Sequence, residues 1–151
     1  MGKEHRLAVI KLFAELSIDQ LEAIEAVGSF RNYDVGEVIF AEDDTGTHLY
    51  AIMEGRVQLS VWLPDKSEQV PVHIAAHGSE FGEFVLLEDK PRSATATTMK
   101  PTSVFVITAG ELDSVFTNDP AVGWKVMRNM CRIQVDRMRK TTAELSASLG
   151  W

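Results

Sequence analysis

A single cysteine, Cys131, stands among 151 residues, which leaves no disulfide framework and no cysteine-based metal site to build. Long apolar runs are missing as well. No stretch approaches the roughly 20 consecutive apolar residues that a membrane-crossing helix needs. The opening MGKEHRLAVIKLF sets charges among its apolar residues and has no small-residue cleavage site, so it does not read as a signal peptide. The four histidines, His5, His48, His73 and His77, never fall at H-x-H or HExxH spacing, so no metal is expected. Positive charge is in deficit: 15 Lys and Arg face 22 Asp and Glu, a net charge of −7. Phosphate neutralisation supplies most of the affinity of a domain that wraps nucleic acid, so such binding is not expected of this chain. The one basic run, Arg128 to Lys140, falls on a predicted helix and reads as a solvated face. No nucleophile–base pair is evident, which argues against an enzyme. The setting these absences describe is reducing and cytoplasmic, away from membranes.

What is present is ordinary globular material, 45% hydrophobic and 25% charged, in a length that suits one domain over residues 1–151. Residues 1–29 read as an N-terminal helical segment. Ser17 and Gln20 form a capping box, Leu16 and Leu21 the accompanying staple, and Gly28 closes the helix. Residues 30–107 change texture to short Val-, Ile-, Tyr- and Thr-rich runs parted by turn residues. The strand candidates are Val38 to Phe40, Leu49 to Met53, Val57 to Leu63, Val70 to Ala75, Ser93 to Thr98 and Ser103 to Ile107. Residues 108–147 return to helix, through a second capping box at Thr108 and Glu111 and a stop at Asn118-Asp119-Pro120. The predicted fold is mainly β with flanking helices: a double-stranded β-helix, or jelly roll, with one helix before it and two after.

The last helix, roughly Ala121 to Ala147, carries two apolar stripes. Val122, Val126, Met130 and Ile133 form one; Trp124, Met127, Cys131, Val135 and Met138 form the other. One stripe suffices to dock a helix on its own domain. The second either widens that face or meets a partner helix, in which case the chain is a homodimer through its C-terminal helix. Cys131 reads most simply as a buried small hydrophobe, and Trp62, Trp124 and Trp151 as core or edge residues.

One stretch concentrates the chemistry: FGEFVLLEDKPRSATATT, Phe81 to Thr98. Gly82 has no Cβ, so a ligand approaches its backbone closely. Helical turning after it would gather the free N–H groups of Glu83, Phe84 and Val85 into an anion site. Arg92 offers a planar guanidinium to two phosphate oxygens, and Ser93 a neutral hydroxyl. A carboxylate beside a phosphate is repelled unless it has another task, and accepting from a ribose hydroxyl gives Glu83 one. These residue types suit a sugar-phosphate. The competing reading is a surface ion pair between Glu83 and Arg92.

Phe81-Gly82-Glu83-Phe84-Val85-Leu86-Leu87, followed by Pro91-Arg92-Ser93-Ala94-Thr95-Ala96, resembles the phosphate-binding cassette of the cyclic nucleotide-binding domain. That module is shared by catabolite-activator-type regulators, kinase regulatory subunits and cyclic-nucleotide-gated channels. The resemblance extends over nearly the whole chain, from LFAELSIDQLEAI through the turn glycines Gly36, Gly46, Gly55 and Gly78 to the closing helices. It implies a ligand, cyclic AMP favoured over cyclic GMP, held by cassette residues 81–95. The implied site is Phe81, Gly82, Glu83, Phe84, Val85, Arg92, Ser93 and Ala94, with Glu83 on the ribose 2′-hydroxyl and Arg92 on the cyclic phosphate. Ser93 then meets phosphate or base, and the amides at Gly82 and Val85 help cradle the phosphate. A closing-helix residue near Met127, Arg128, Cys131 or Arg132 is expected to cap the base. Val85 departs from the small residue usual there, and Phe84 from Leu or Ile. The implied role is a sensor whose closing helix moves on ligand capture; the alternative is a degenerate roll serving as a ligand-free interaction or dimerisation module. No reader helices follow, so DNA recognition by this chain alone is not expected.

Overall fold

The computed structural model describes residues 4–150. Eight strands form two antiparallel four-stranded sheets: β1 (Ser29–Tyr33), β8 (Thr102–Thr108), β3 (His48–Glu54) and β6 (Glu80–Phe81) in one, and β2 (Val38–Phe40), β7 (Thr95–Thr98), β4 (Arg56–Trp62) and β5 (Gln69–Ala76) in the other. Helix α1 (Ile18–Val27) precedes the roll, and α2 (Ala109–Asn118) and α3 (Pro120–Ser148) follow it. This is the predicted jelly roll with flanking helices.

The central strands β3 and β8 read as near-continuous apolar runs because both of their faces are covered. Tyr50, Ile52, Val104 and Val106 point into the roll, where they meet Val57, Ala75, Phe81 and Ala96 of the remaining strands. Their neighbours Leu49, Ala51, Phe105 and Ile107 point the other way, into a second core built with α1, α2 and α3. Strand period two thus links two cores through one sheet.

Both predicted capping boxes form, Ser17 with Gln20 and Thr108 with Glu111, and Asp119 caps α3 with Pro120 in its first turn. Before α1 the chain is not one helix. It makes two short 3-10 turns, Arg6–Val9 and Lys11–Phe13, because Leu7, Ile10, Leu12 and Phe13 must all reach the helical core. Asn129 of α3 secures that segment by donating to the carbonyls of Leu12 (3.1 Å) and Ala14 (2.8 Å). Strands β1 and β6 were absent from the sequence reading. The first is mostly exposed and takes its conformation from pairing with β8; the second has two residues, paired with Tyr50 and Ala51.

Along α3, Val122, Val126 and Met130 are buried in the helical core, with Ile133 half-buried at its edge. The second stripe divides. Met127 packs against the same core, whereas Trp124, Val135 and Met138 are exposed. Cys131 is exposed too, contrary to the buried reading, since it lies on the outer side of the helix. Trp62 is exposed at the end of β4, and Trp151 lies outside the described residues. No described helix is long and apolar enough to cross a membrane.

Candidate functional site

The cassette begins where β6 ends. Gly82 adopts a left-handed φ of 71°, which only a residue without Cβ takes without strain, and the chain then makes a 3-10 turn over Glu83–Leu86 that no side chain caps. The far limb is tied to the β2–β3 connection: the Asp43 amide donates to the Arg92 carbonyl and the Arg92 amide to the Asp44 carbonyl, both at 2.8 Å. That tie holds Arg92 out of the sheet and delays β7 to Thr95, two residues after the predicted start.

The Arg92 side chain is buried. Its guanidinium donates to the carbonyls of His48 (2.7 Å) and Gly82 (3.2 Å) and lies 4.1 Å above the Phe40 ring, while its Nε is buried without a partner. Phe81 is fully buried beneath, stacked on Tyr50 at 5.0 Å and 6.0 Å from Phe40, so it supports the floor and does not line the cavity. Gly46 leaves room for the arginine: a Cβ there would come within 2.5 Å of Nη2. Burial pulls the Arg92 pKa below the usual arginine range, so an anion nearby would restore solvation that the protein withholds.

A cavity of about 480 Å³, within the size range of small-molecule sites, opens beside this cassette. Gly82, Glu83, Phe84, Val85, Arg92, Ser93 and Ala94 all line it, opposite residues of β4, β5 and α3. Glu83 and Arg92 do not pair with each other. Glu83 is buried, and its Oε1 accepts from Gln134 Nε2 (2.8 Å) and Arg137 Nη1 (3.0 Å); among the described residues no bond falls on Oε2. Arg137 Nη2 reaches across to Glu80 Oε1 at 2.9 Å.

Glu80, 1% exposed, is the second carboxylate of this wall. Burial and the neighbouring Glu83 push its pKa up to about 7, against the pull of Arg137. His73 of β5 lines the cavity with a buried Nε2 that has no partner among the described residues; burial and then Arg137 hold its pKa below the usual histidine value.

Sequence reasoning missed Glu80, Gln134 and Arg137. Arg137 belonged to the run read as solvated, yet it is the cation that α3 brings to both carboxylates. The closing-helix candidates Met127, Arg128, Cys131 and Arg132 do not line the cavity: Met127 is in the core, and Arg128 bonds to Glu15 at 2.5 Å and lies over Trp124. The helix lines the cavity just beyond them, from Ile133 and Gln134 through Arg137 and Thr141 to Glu144. Gln134, Arg137, Thr141 and Glu144 recur at a spacing of three and four and carry the line of Val126 and Met130 onward with polar residues, which was the available signal.

A family model described as the cyclic nucleotide-binding domain matches residues 30–119, from β1 through α2. The chain is 28% identical over 111 residues to a CRP-like cAMP-activated global transcriptional regulator of Mycobacterium tuberculosis, covering 74% of this chain and 47% of that protein. It thus spans under half of the regulator's length. Among solved structures, the N-terminal domain of a transcriptional regulator from Streptomyces coelicolor superposes with a TM-score of 0.75 at 28% identity, over 93% of this chain and 95% of that one. A cyclic nucleotide-binding domain from Methylobacillus flagellatus shares the fold at a TM-score of 0.83 and 22% identity, over 95% and 80% of the two chains. With that roll, this cassette and a family match over more than half its length, the chain belongs to the cyclic nucleotide-binding domain family.

Proposed function

We propose that this chain is a sensor, not an enzyme, that binds a 3′,5′-cyclic nucleotide in the cavity between cassette and α3, with cyclic AMP the favoured ligand. The observation that carries the reading is the state of Glu83: its Oε1 is held by α3, and its Oε2 accepts no bond among the described residues. A ribose 2′-hydroxyl donating to Oε2 places the ligand on the same carboxylate that Gln134 and Arg137 grip. Arg92 and the uncapped amides after Gly82 meet the cyclic phosphate from the cassette side. Ligand occupancy is then felt by α3 through one shared group, and the helix shifts to the extent that its two positions differ in affinity for the nucleotide.

The output surface in this reading is the outer face of α3. Trp124, Cys131, Met138 and Leu145 recur every seven residues, with Val135 between them and Leu149 just beyond, all exposed. A row at that spacing is a seam for a second helix, and a second copy of α3 presents the same row. The dimer proposed is two-fold, helix beside helix.

A second reading, a ligand-free dimerisation module, is favoured by the engagement of the Arg92 guanidinium with the carbonyls of His48 and Gly82. A thermal-shift panel of cyclic AMP, cyclic GMP and cyclic dinucleotides separates the two. A rise with a cyclic mononucleotide supports the sensor; a flat panel at millimolar ligand supports the module. Calorimetry with Glu83→Ala then assigns the sugar contact. Its penalty shrinks for 2′-deoxy cyclic AMP if Glu83 holds the hydroxyl, and an equal penalty for both ligands removes that role.

A further inference from the structure

Glu80 has no task in the binding scheme above, yet it is the most deeply buried carboxylate at the cavity. Its Oε1 accepts from Arg137, whereas Oε2 is buried with no donor among the described residues. A charged, dry oxygen without a hydrogen bond is costly, and that cost is relieved when the carboxyl is neutral. Its surroundings come from several elements. Glu83, on the turn after β6, repels its charge, while Arg137 of α3 and Lys11 of the N-terminal segment favour it. His73 of β5 and Lys140 and Glu144 of α3 line the same cavity.

Resting on the cyclic nucleotide reading, we propose that capture of the nucleotide is coupled to uptake of one proton from solvent onto Glu80 Oε2, so that the cavity binds the same ligand more tightly as pH falls. Two consequences of occupancy act in one direction. A cyclic phosphate adds a negative charge and expels water, and both disfavour the ionised carboxyl. Any withdrawal of α3 also takes Arg137 from Glu80, which leaves the charge unpaired.

The starting point makes this coupling accessible: the ligand-free carboxyl titrates at about 7, so near pH 8 it is ionised and a modest upward shift protonates it. The bound state then holds more protons than the free state between its own raised pKa and about 7. Affinity therefore rises as pH falls through that window and levels off below it. His73, whose pKa burial lowers, is neutral across the same range.

The test is calorimetry with cyclic AMP at pH 8 in HEPES and in Tris, whose ionisation enthalpies differ, together with affinities from pH 6.5 to 8.5. Proton uptake makes the two apparent enthalpies differ, and affinity at pH 7 exceeds that at pH 8 by roughly threefold or more. Glu80→Gln still binds but loses both effects, and His73→Asn keeps both. Equal enthalpies in the two buffers with a flat affinity profile overturn the coupling, as does uptake that survives Glu80→Gln and vanishes in His73→Asn. Should Glu80→Gln fail to fold, carbon-13 NMR of glutamate carboxyls in the wild type decides. One resonance moving to the protonated position on adding nucleotide at pH 8 supports the proposal, and none moving refutes it. Loss of the parent reading has a different signature, no binding heat at any pH, and removes the coupling with it.

Discussion

Glu80→Gln isolates the cost of keeping a charge in the wall of this cavity. The folded protein holds the Glu80 carboxyl at about 7 against an ordinary value of 4.5. Between those two values the folded state binds more protons at this site than the unfolded chain. Stability contributed by the group is therefore fully present below the ordinary value and is lost as pH rises through about 7. A shift of this size corresponds to about 3 kcal/mol, taking roughly 1.4 kcal/mol per pKa unit. Glutamine has the shape of the protonated side chain and does not titrate. Wild type and variant should thus start level in acid, and at pH 8 the variant should be the more stable by about 3 kcal/mol. Both proteins are unfolded in urea at several pH values from 4 to 8, followed by circular dichroism at one protomer concentration, because dimer formation would otherwise enter the result. Other titrating groups cancel in the difference between the curves. Two stability–pH profiles that run parallel would refute the reasoning, since Glu80 would then carry its charge in the fold without cost.

Arg92→Ala should weaken cyclic nucleotide binding by about 2–5 kcal/mol in calorimetry, and Arg92→Lys should recover little, because a point charge cannot span two carbonyls and stack on Phe40. Val135→Glu with Met138→Glu should convert a dimer to a folded monomer in sedimentation, since both side chains are exposed in the protomer; a double variant that unfolds would place them in its core instead. Met127 is unsuitable for that test because it packs against its own domain. Asn129→Ala should cost about 1–3 kcal/mol in urea denaturation by leaving the carbonyls of Leu12 and Ala14 unpaired, and no loss would show water replacing it freely.

Local spacing carried much of this protein into view. Ser17 with Gln20 and Thr108 with Glu111 are interactions between residues three apart, so each is complete within one turn of chain. The cassette was legible for the same reason: a glycine able to take a left-handed turn, a carboxylate beside it and an arginine nine residues on lie within one short segment. Leu49 to Met53 and Ser103 to Ile107 were legible as strand candidates from their apolar and β-branched residues, while their pairing and burial on both faces emerged only in the fold. Strand β1 left no such mark, since SFRNY is ordered by its ladder to β8 more than by burial. What surrounds Glu83 was decided only when α3 crossed the roll, bringing Gln134 and Arg137 to a carboxylate 51 and 54 residues earlier in the chain. The same crossing turned an arginine of the supposed solvated run inward, and it gave Glu80 a cation on one oxygen and nothing on the other. Charge in a cavity depends on which distant groups share it and how much water they exclude, and neither quantity is written in the neighbours of a residue along the chain.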